Sequence, residues 1–363
     1  MKIEAVGSFL PDEILIDARK KYSKGLLDKN DLTAIEDCAV RKIVERQIAS
    51  GLPYVTSGEL RCNHWANDFW FGLSGISCKN ITSGHIYQPI EAATDLLHIN
   101  GRIEYNTDHP VFQDFAFLHD AVKGRALCRQ ALPSPANLLL EIISLSDGRP
   151  EQLYGSVESL VEDIAEAYRL TIQHLYDMGC ASVLFDDTAC GLMCDDNFTK
   201  RLLQGGVDLI NLHKLIIDVI NASVKDVPAD MERAIYLSAG DDIVPEWEFI
   251  CFPDNIMPTV LKCLNVDKFF LPFEIGNEYS LEILRHIPDE KKVVLGLMEA
   301  HSPFSDDICA ISSTIRKAER YIKPESLYVS PKTGFKLSTY TTRGLTEEDQ
   351  WRKLSELAAI SKA

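Results

Sequence analysis

The hydrophobic pattern of the chain repeats one unit. A short apolar run of branched or aromatic residues is followed by a polar, glycine or proline loop, and eight such runs occur. In order they are IEAV before GSF, YV before TSGE, RALCRQAL before PSP, SVLF before DDT, AIYL before SAGD, KFFLPF before EIGN, VVLGLM before EAH and SLYV before SPKTG. Between several of them the period becomes helical. From Asp31 to Gly51, residues Leu32, Ile35, Ala39, Ile43, Val44 and Ile48 fall on one face. Asn30 or Asp31 is placed to cap that helix and Gly51 to end it. From Val157 to Gly179 the residues Val161, Ile164, Tyr168, Ile172 and Leu175 keep the same step.

Strands that are apolar throughout, rather than at alternate positions, are covered on both faces, as parallel strands flanked by crossover helices are. Eight of them predict an α/β chain closed into a (β/α)8 TIM barrel. The alternative is a doubly wound open sheet, which usually has fewer strands; here no glycine-rich dinucleotide fingerprint follows the first run. The segment from about Trp70 to His119 reads as irregular and is expected to be an insertion at the barrel mouth, within one domain over residues 1–363. In such a barrel the site is built from the loops after the strands. Ser8, Glu59, Asp186, Asp187, Ser238, Glu274, His301 and Thr333 are therefore expected to converge.

Composition narrows the partners. The chain has 363 residues, 46% of them hydrophobic, and a net charge of -17. An acidic surface repels phosphate backbones and anionic membranes, so a small-molecule substrate is expected, with no nucleic acid and no membrane. Self-association into a homo-oligomer is left open. MKIEAVGSFLPDE lacks the apolar core of a signal peptide, and NLLLEII is far too short to span a bilayer. Ten cysteines without paired spacing read as free, mostly buried thiols, and the expected location is cytoplasmic. Cys190 and Cys194, one helical turn apart, are either such thiols or a weak metal pair.

Ordered stretches along nearly the whole chain resemble the single-barrel relatives of cobalamin-independent methionine synthase. They are VGSFLPDEILIDARKKYSKG, IVERQIASGLPYVTSGELRCNHWANDF, LPSP at 132–135, LYDMGCASVLFDDT, SPKTGF and LTEEDQWRKL. The full-length synthase carries two barrels, and this chain corresponds to its C-terminal catalytic one. The resemblance implies a zinc ion held by the His and Cys of a His-x-Cys motif, a Glu and a late Cys. That zinc keeps a substrate thiol as a nucleophilic thiolate, which takes its methyl group from 5-methyltetrahydrofolate. On the positions that the resemblance assigns, Tyr236 stands for the His, Ser238 for the Cys, Pro272 for the Glu and Thr333 for the late Cys. Such a set does not bind zinc, and sliding Glu274 toward the lost glutamate supplies a single carboxylate. No metal and no other cofactor is therefore expected, and folate binding is left open.

The rest of the pocket persists in the resemblance. Gly7 and Ser8 match the segment that holds an amino acid's carboxylate, and Asp186 matches the aspartate that holds its amino group. Glu59 lies in the SGE stretch, although Ser57 replaces the family aspartate. His301 in EAHSPFS matches the histidine proposed as proton donor in the long synthases, and a histidine can do acid–base work without metal. Each residue also has a plainer reading. Tyr236, Ser238 and Thr333 are polar filler or a hydrogen-bonding set; Asp186 and Asp187 are helix caps or ligands; Glu59 pairs with Arg61 or faces substrate. His301 is a core histidine or an acid, and His64, Trp65 and Phe69 are packing. The expected function is a metal-free enzyme acting on an amino-acid-like molecule. His301, Tyr236 and Glu274 are its candidate catalytic groups; Gly7, Ser8, Glu59, Asp186, Ser238 and Thr333 are its candidate binding groups. The alternatives are the homocysteine S-methyltransferase of the family name and a non-catalytic binding protein.

Overall fold

The computed structural model describes residues 2–80, 95–146, 148–238, 256–336 and 344–360. Its strands are β1 (Lys2–Ile3), β2 (Tyr54–Val55), β3 (Ser74–Asn80), β4 (Asp95–Glu104), β5 (Leu127–Pro133), β6 (Ser182–Asp187), β7 (Glu232–Leu237), β8 (Lys268–Pro272), β9 (Lys292–Met298) and β10 (Leu327–Pro331). Eight form one sheet in the order β1-β10-β9-β8-β7-β6-β5-β2, and their pairings are parallel. The two end strands meet just beyond their C-termini. Ser8 bridges Gly58 in parallel, the Phe9 amide donates to the Gly58 carbonyl at 3.0 Å, and Thr56 Oγ1 donates to the Gly7 carbonyl at 2.5 Å. The fold is a TIM barrel, and its eight strands are the eight apolar runs.

Alternation along each strand sorts the side chains between two layers. Val6, Leu184, Ala234, Tyr236, Phe270, Val294 and Tyr328 pack inside the barrel. Their neighbours Phe185, Ile235, Phe269 and Val293 face outward into the core shared with the helices. The floor of the barrel, at the N-terminal strand ends, is charged. Arg129 pairs with Glu4 and Glu232, each at 3.0 Å, and Lys268 reaches the same carboxylates at 2.5 and 3.0 Å. All four side chains are buried.

The first long helix runs Lys29–Ala49 and is capped by Asp28, whose side chain accepts from the Asp31 amide. The cap thus precedes Asn30 and Asp31. Gly51 ends the helix at φ +71°, a left-handed conformation in which a Cβ would be strained. Helix Val157–Asp177 is capped by Ser156. The segment after β2, expected to be irregular, holds regular structure: a short helix Asn67–Trp70, the antiparallel pair β3–β4, and helix Pro110–Val122 leading into β5. Its pattern was illegible because the pair is a two-stranded ribbon leaning on helix Val157–Asp177, with Arg102 bonded to Asp163, rather than a strand buried on both faces. Among the described residues no helix is long and apolar enough to cross a membrane.

Candidate functional site

A cavity of about 560 Å3 opens at the C-terminal ends of β2, β5 and β6. Glu59, just past β2, lines it together with Gln130 to Pro133 of β5 and Asp186 of β6. Its outer wall comes from the segment after β2: Trp65, Phe69, Phe71 and His109.

Asp186 is paired in register with Pro133 and Tyr236. Its carbonyl accepts from the Ser134 amide at 2.8 Å and from Asn137 Nδ2 at 2.9 Å, so the main chain is anchored while the carboxyl faces the cavity. Burial pushes that carboxyl well above the usual carboxylate range, and the charges of Glu59 and then Asp187 push it the same way. Asp187 is fully buried and accepts from the Cys190 amide at 2.8 Å. The capping role therefore falls to Asp187, and Asp186 is left for the cavity.

Glu59 follows Gly58 and has φ +56°, a left-handed conformation that few non-glycine residues adopt. Lys336, beyond β10, holds this turn: its Nζ donates to the Glu59 carbonyl at 2.9 Å and the Cys62 carbonyl at 2.7 Å. Burial pushes the Glu59 carboxyl up, and the Lys336 charge draws it partly back. Arg61 pairs instead with Asp37 at 2.5 Å and Asp114 at 3.5 Å, which leaves Glu59 turned to the cavity.

A second cluster forms where the loops after β1, β9 and β10 meet. His301 Nε2 lies 2.9 Å from the Gly334 carbonyl and 3.2 Å from Thr333 Oγ1. The carbonyl can only accept, so this ring nitrogen carries the proton. Ser8 is buried under the same loop, against Gly334. Gly7 has φ +122°, and a Cβ there would come within 2.9 Å of Thr56 Cγ2, so this corner admits glycine. Glu274 is mostly exposed and acts as a counter-ion to Lys332, 2.5 Å away; Lys332 also reaches Glu299 at 3.4 Å. Tyr236 is buried in the inner barrel layer. The Ser238 amide donates to the Asp187 carbonyl at 2.8 Å. The rest of the SAGD loop, from Ala239, lies outside the described residues.

The nine candidates thus separate by position. Glu59 and Asp186 share the cavity; Ser8, His301 and Thr333 share a neighbouring cluster beside Gly7; Glu274 sits on the rim, Tyr236 inside the barrel and Ser238 just past the end of β7. Sequence reasoning missed Lys332, Lys336 and His109. The two lysines had a signal, being cations in a polar strand-end loop of an acidic chain. His109 had little: it is buried, its Nδ1 accepts from the Val111 amide at 3.1 Å and its Nε2 donates to the Phe69 carbonyl at 2.8 Å. Burial lowers its pKa to about 4, which keeps the ring neutral.

The resemblance assigns the family's zinc ligands to four positions of this chain. Tyr236, Ser238 and Thr333 offer hydroxyls, and Pro272 offers no side-chain donor. Among the described residues, no group of three or more His, Cys, Asp or Glu is placed to hold a metal ion. Cys190 and Cys194 do not make up the lack. Burial pushes the Cys194 thiol up to about 12 and the Cys190 thiol well above its usual value, whereas metals bind the thiolate.

Residues 249–346 match the family described as cobalamin-independent synthase, catalytic domain. The uncharacterized protein YxjH of Bacillus subtilis is 29% identical over 361 residues, covering 99% of this chain and 93% of that one. The methionine synthase of Sulfolobus acidocaldarius is 20% identical over 335 residues, 92% of this chain and 85% of that one. A solved structure from Listeria monocytogenes, assigned to the vitamin-B12-independent methionine synthases, superposes with a TM-score of 0.77 at 27% identity. The match covers 100% of this chain and 98% of that one.

Proposed function

We propose that this chain, a relative of the cobalamin-independent methionine synthase family along its whole length, is a metal-free enzyme acting on an amino-acid-like small molecule. The observation that carries this reading is the pairing of Glu59 and Asp186 on one cavity wall. Each carboxylate is costly alone in that setting, and each makes the other costlier. A ligand ammonium between them relieves both through charge-assisted hydrogen bonds. The pair also supplies protons: carboxyls raised above their usual range serve as general acids and bases without a metal. His301, fixed by Gly334 and Thr333, is a second proton-carrying group at the mouth.

Methyl transfer to homocysteine is the reading that the relatives' names favour. It needs the thiol as a thiolate, and Tyr236, Ser238, Pro272 and Thr333 supply nothing to stabilise one. The net charge of -17 accords with a small metabolite in the cytoplasm rather than nucleic acid or an anionic membrane.

Two measurements test the proposal. Elemental analysis of the purified protein is expected to find far less than stoichiometric zinc; about one zinc per chain surviving mild chelation overturns the metal-free part. Calorimetric titration is expected to detect α-amino acids or amines, and the absence of binding by any of them overturns the amine part.

A further inference from the structure

We infer that the amine bound at Glu59 and Asp186 carries a flat aromatic body, which lies against a wall supplied by the segment between β2 and β5. This rests on the amine reading above and names the class of ligand that the same cavity takes. Trp65, Phe69, Phe71 and His109 line the same cavity as Glu59 and Asp186. His109 belongs to this wall as an aromatic ring and not as a polar group. Both its nitrogens are engaged by main chain, one by Val111 and one by Phe69, so the buried neutral ring packs into the wall as an apolar group. Its centroid lies 4.7 Å from that of Phe69, whose ring is 5.1 Å from that of Tyr168, so the wall is braced from behind. Gly72 permits this packing, since a Cβ there would collide with the imidazole.

Size and charge point the same way. A volume of about 560 Å3 far exceeds what an ammonium group needs and falls in the range of whole organic ligands. Glu36, Glu59, Asp68, Asp114 and Asp186 line it against Lys29 and Arg61; Glu36 already pairs with Arg19, and Arg61 with Asp37 and Asp114. The lining therefore suits a cation with an apolar body, in which ring stacking and cation–π contacts add to the carboxylate bonds.

The test is calorimetric titration of the full chain at pH 8 with L-phenylalanine, 2-phenylethylamine, L-alanine and 3-phenylpropionate. Both aromatic amines are expected to bind at least about tenfold more tightly than L-alanine, and 3-phenylpropionate not to bind. Trp65→Ala and Phe71→Ala should each erase most of that preference while L-alanine binds as before, which shows the carboxylate end intact. Equal affinity for L-alanine and L-phenylalanine overturns the inference and leaves the amine reading standing, as does a preference unmoved by either substitution. Binding of 3-phenylpropionate as tight as that of 2-phenylethylamine overturns the amine reading and leaves the aromatic wall. No binding by any amine overturns both.

Discussion

Asp186→Asn replaces an ionisable carboxyl of the cavity by a neutral amide and keeps the shape of the side chain. Two effects of opposite sign follow. The affinity for an amine should fall, because losing one partner of a desolvated charged hydrogen bond costs about 2–5 kcal/mol, roughly 30-fold or more in Kd. The unliganded protein should become more stable, because a half-buried carboxyl whose ionisation Glu59 and Asp187 oppose gives way to a neutral amide. Relief of a strained functional site typically contributes about 0.5–2 kcal/mol. At about 2 cal/mol/K per residue, unfolding 363 residues carries an entropy near 0.8 kcal/mol/K, so Tm should rise by about 1–3 °C at pH 7.5. The pH dependence carries a sign. The folded-state pKa of Asp186 is raised, so the cost of its charge is absent below the unfolded value of about 3.9 and grows as pH rises from there toward the folded pKa. The stability gap between variant and wild type should therefore widen from pH 5 to pH 8. Thermal melts across that range, with titration of an amine ligand at each pH, measure both effects. A variant that is less stable at pH 7.5, or a gap that narrows with rising pH, refutes the account of Asp186 as an uncompensated cavity carboxyl.

Other substitutions probe neighbouring claims. Lys336→Met deletes the clamp on the left-handed Glu59 turn and the charge that draws Glu59 down. Amine affinity should fall about tenfold, one bond's worth, and its loss on acidification should begin at a higher pH. Titration between pH 6 and 8 checks this, and an unchanged pH profile counts against the clamp. Arg129→Met removes the guanidinium from the charged floor and should cost about 3–5 kcal/mol, several °C in Tm, with amine affinity unchanged because the floor lies at the far end of the barrel. A melt within 1 °C of wild type would show the floor to be dispensable. With a turned-over substrate in hand, His301→Ala should abolish turnover and leave Kd within about threefold; turnover kept in the variant removes His301 from the chemistry.

The eight strands and their order were readable from the chain because that signal is local. A run such as SVLF or VVLGLM announces burial on both faces within a handful of residues, and the glycine at 51 announces a helix end in one. Asp186 was legible as a candidate for the same reason, since it ends such a run, but only the structure separates it from Asp187, which bonds the Cys190 amide instead of lining the cavity. What the tertiary structure decided was which strand ends share a space. Register and closure put Glu59 and Asp186 on one cavity and draw Ser8, His301 and Thr333 to the other side of the mouth; no spacing in the sequence encodes that division. Charge follows the same rule. Arg129 and Lys268 look like strand flanks, and only barrel closure brings them against Glu4, 125 and 264 residues away, where a buried ion becomes tolerable. His109 is the sharpest case. Its identity suggests a titrating group, whereas its burial and the bond from its Nε2 to the carbonyl of Phe69, a residue forty positions away, make it a neutral ring. Local pattern sets what a segment becomes, and desolvation with its partners, which are properties of the closed barrel, sets what each polar side chain can do there.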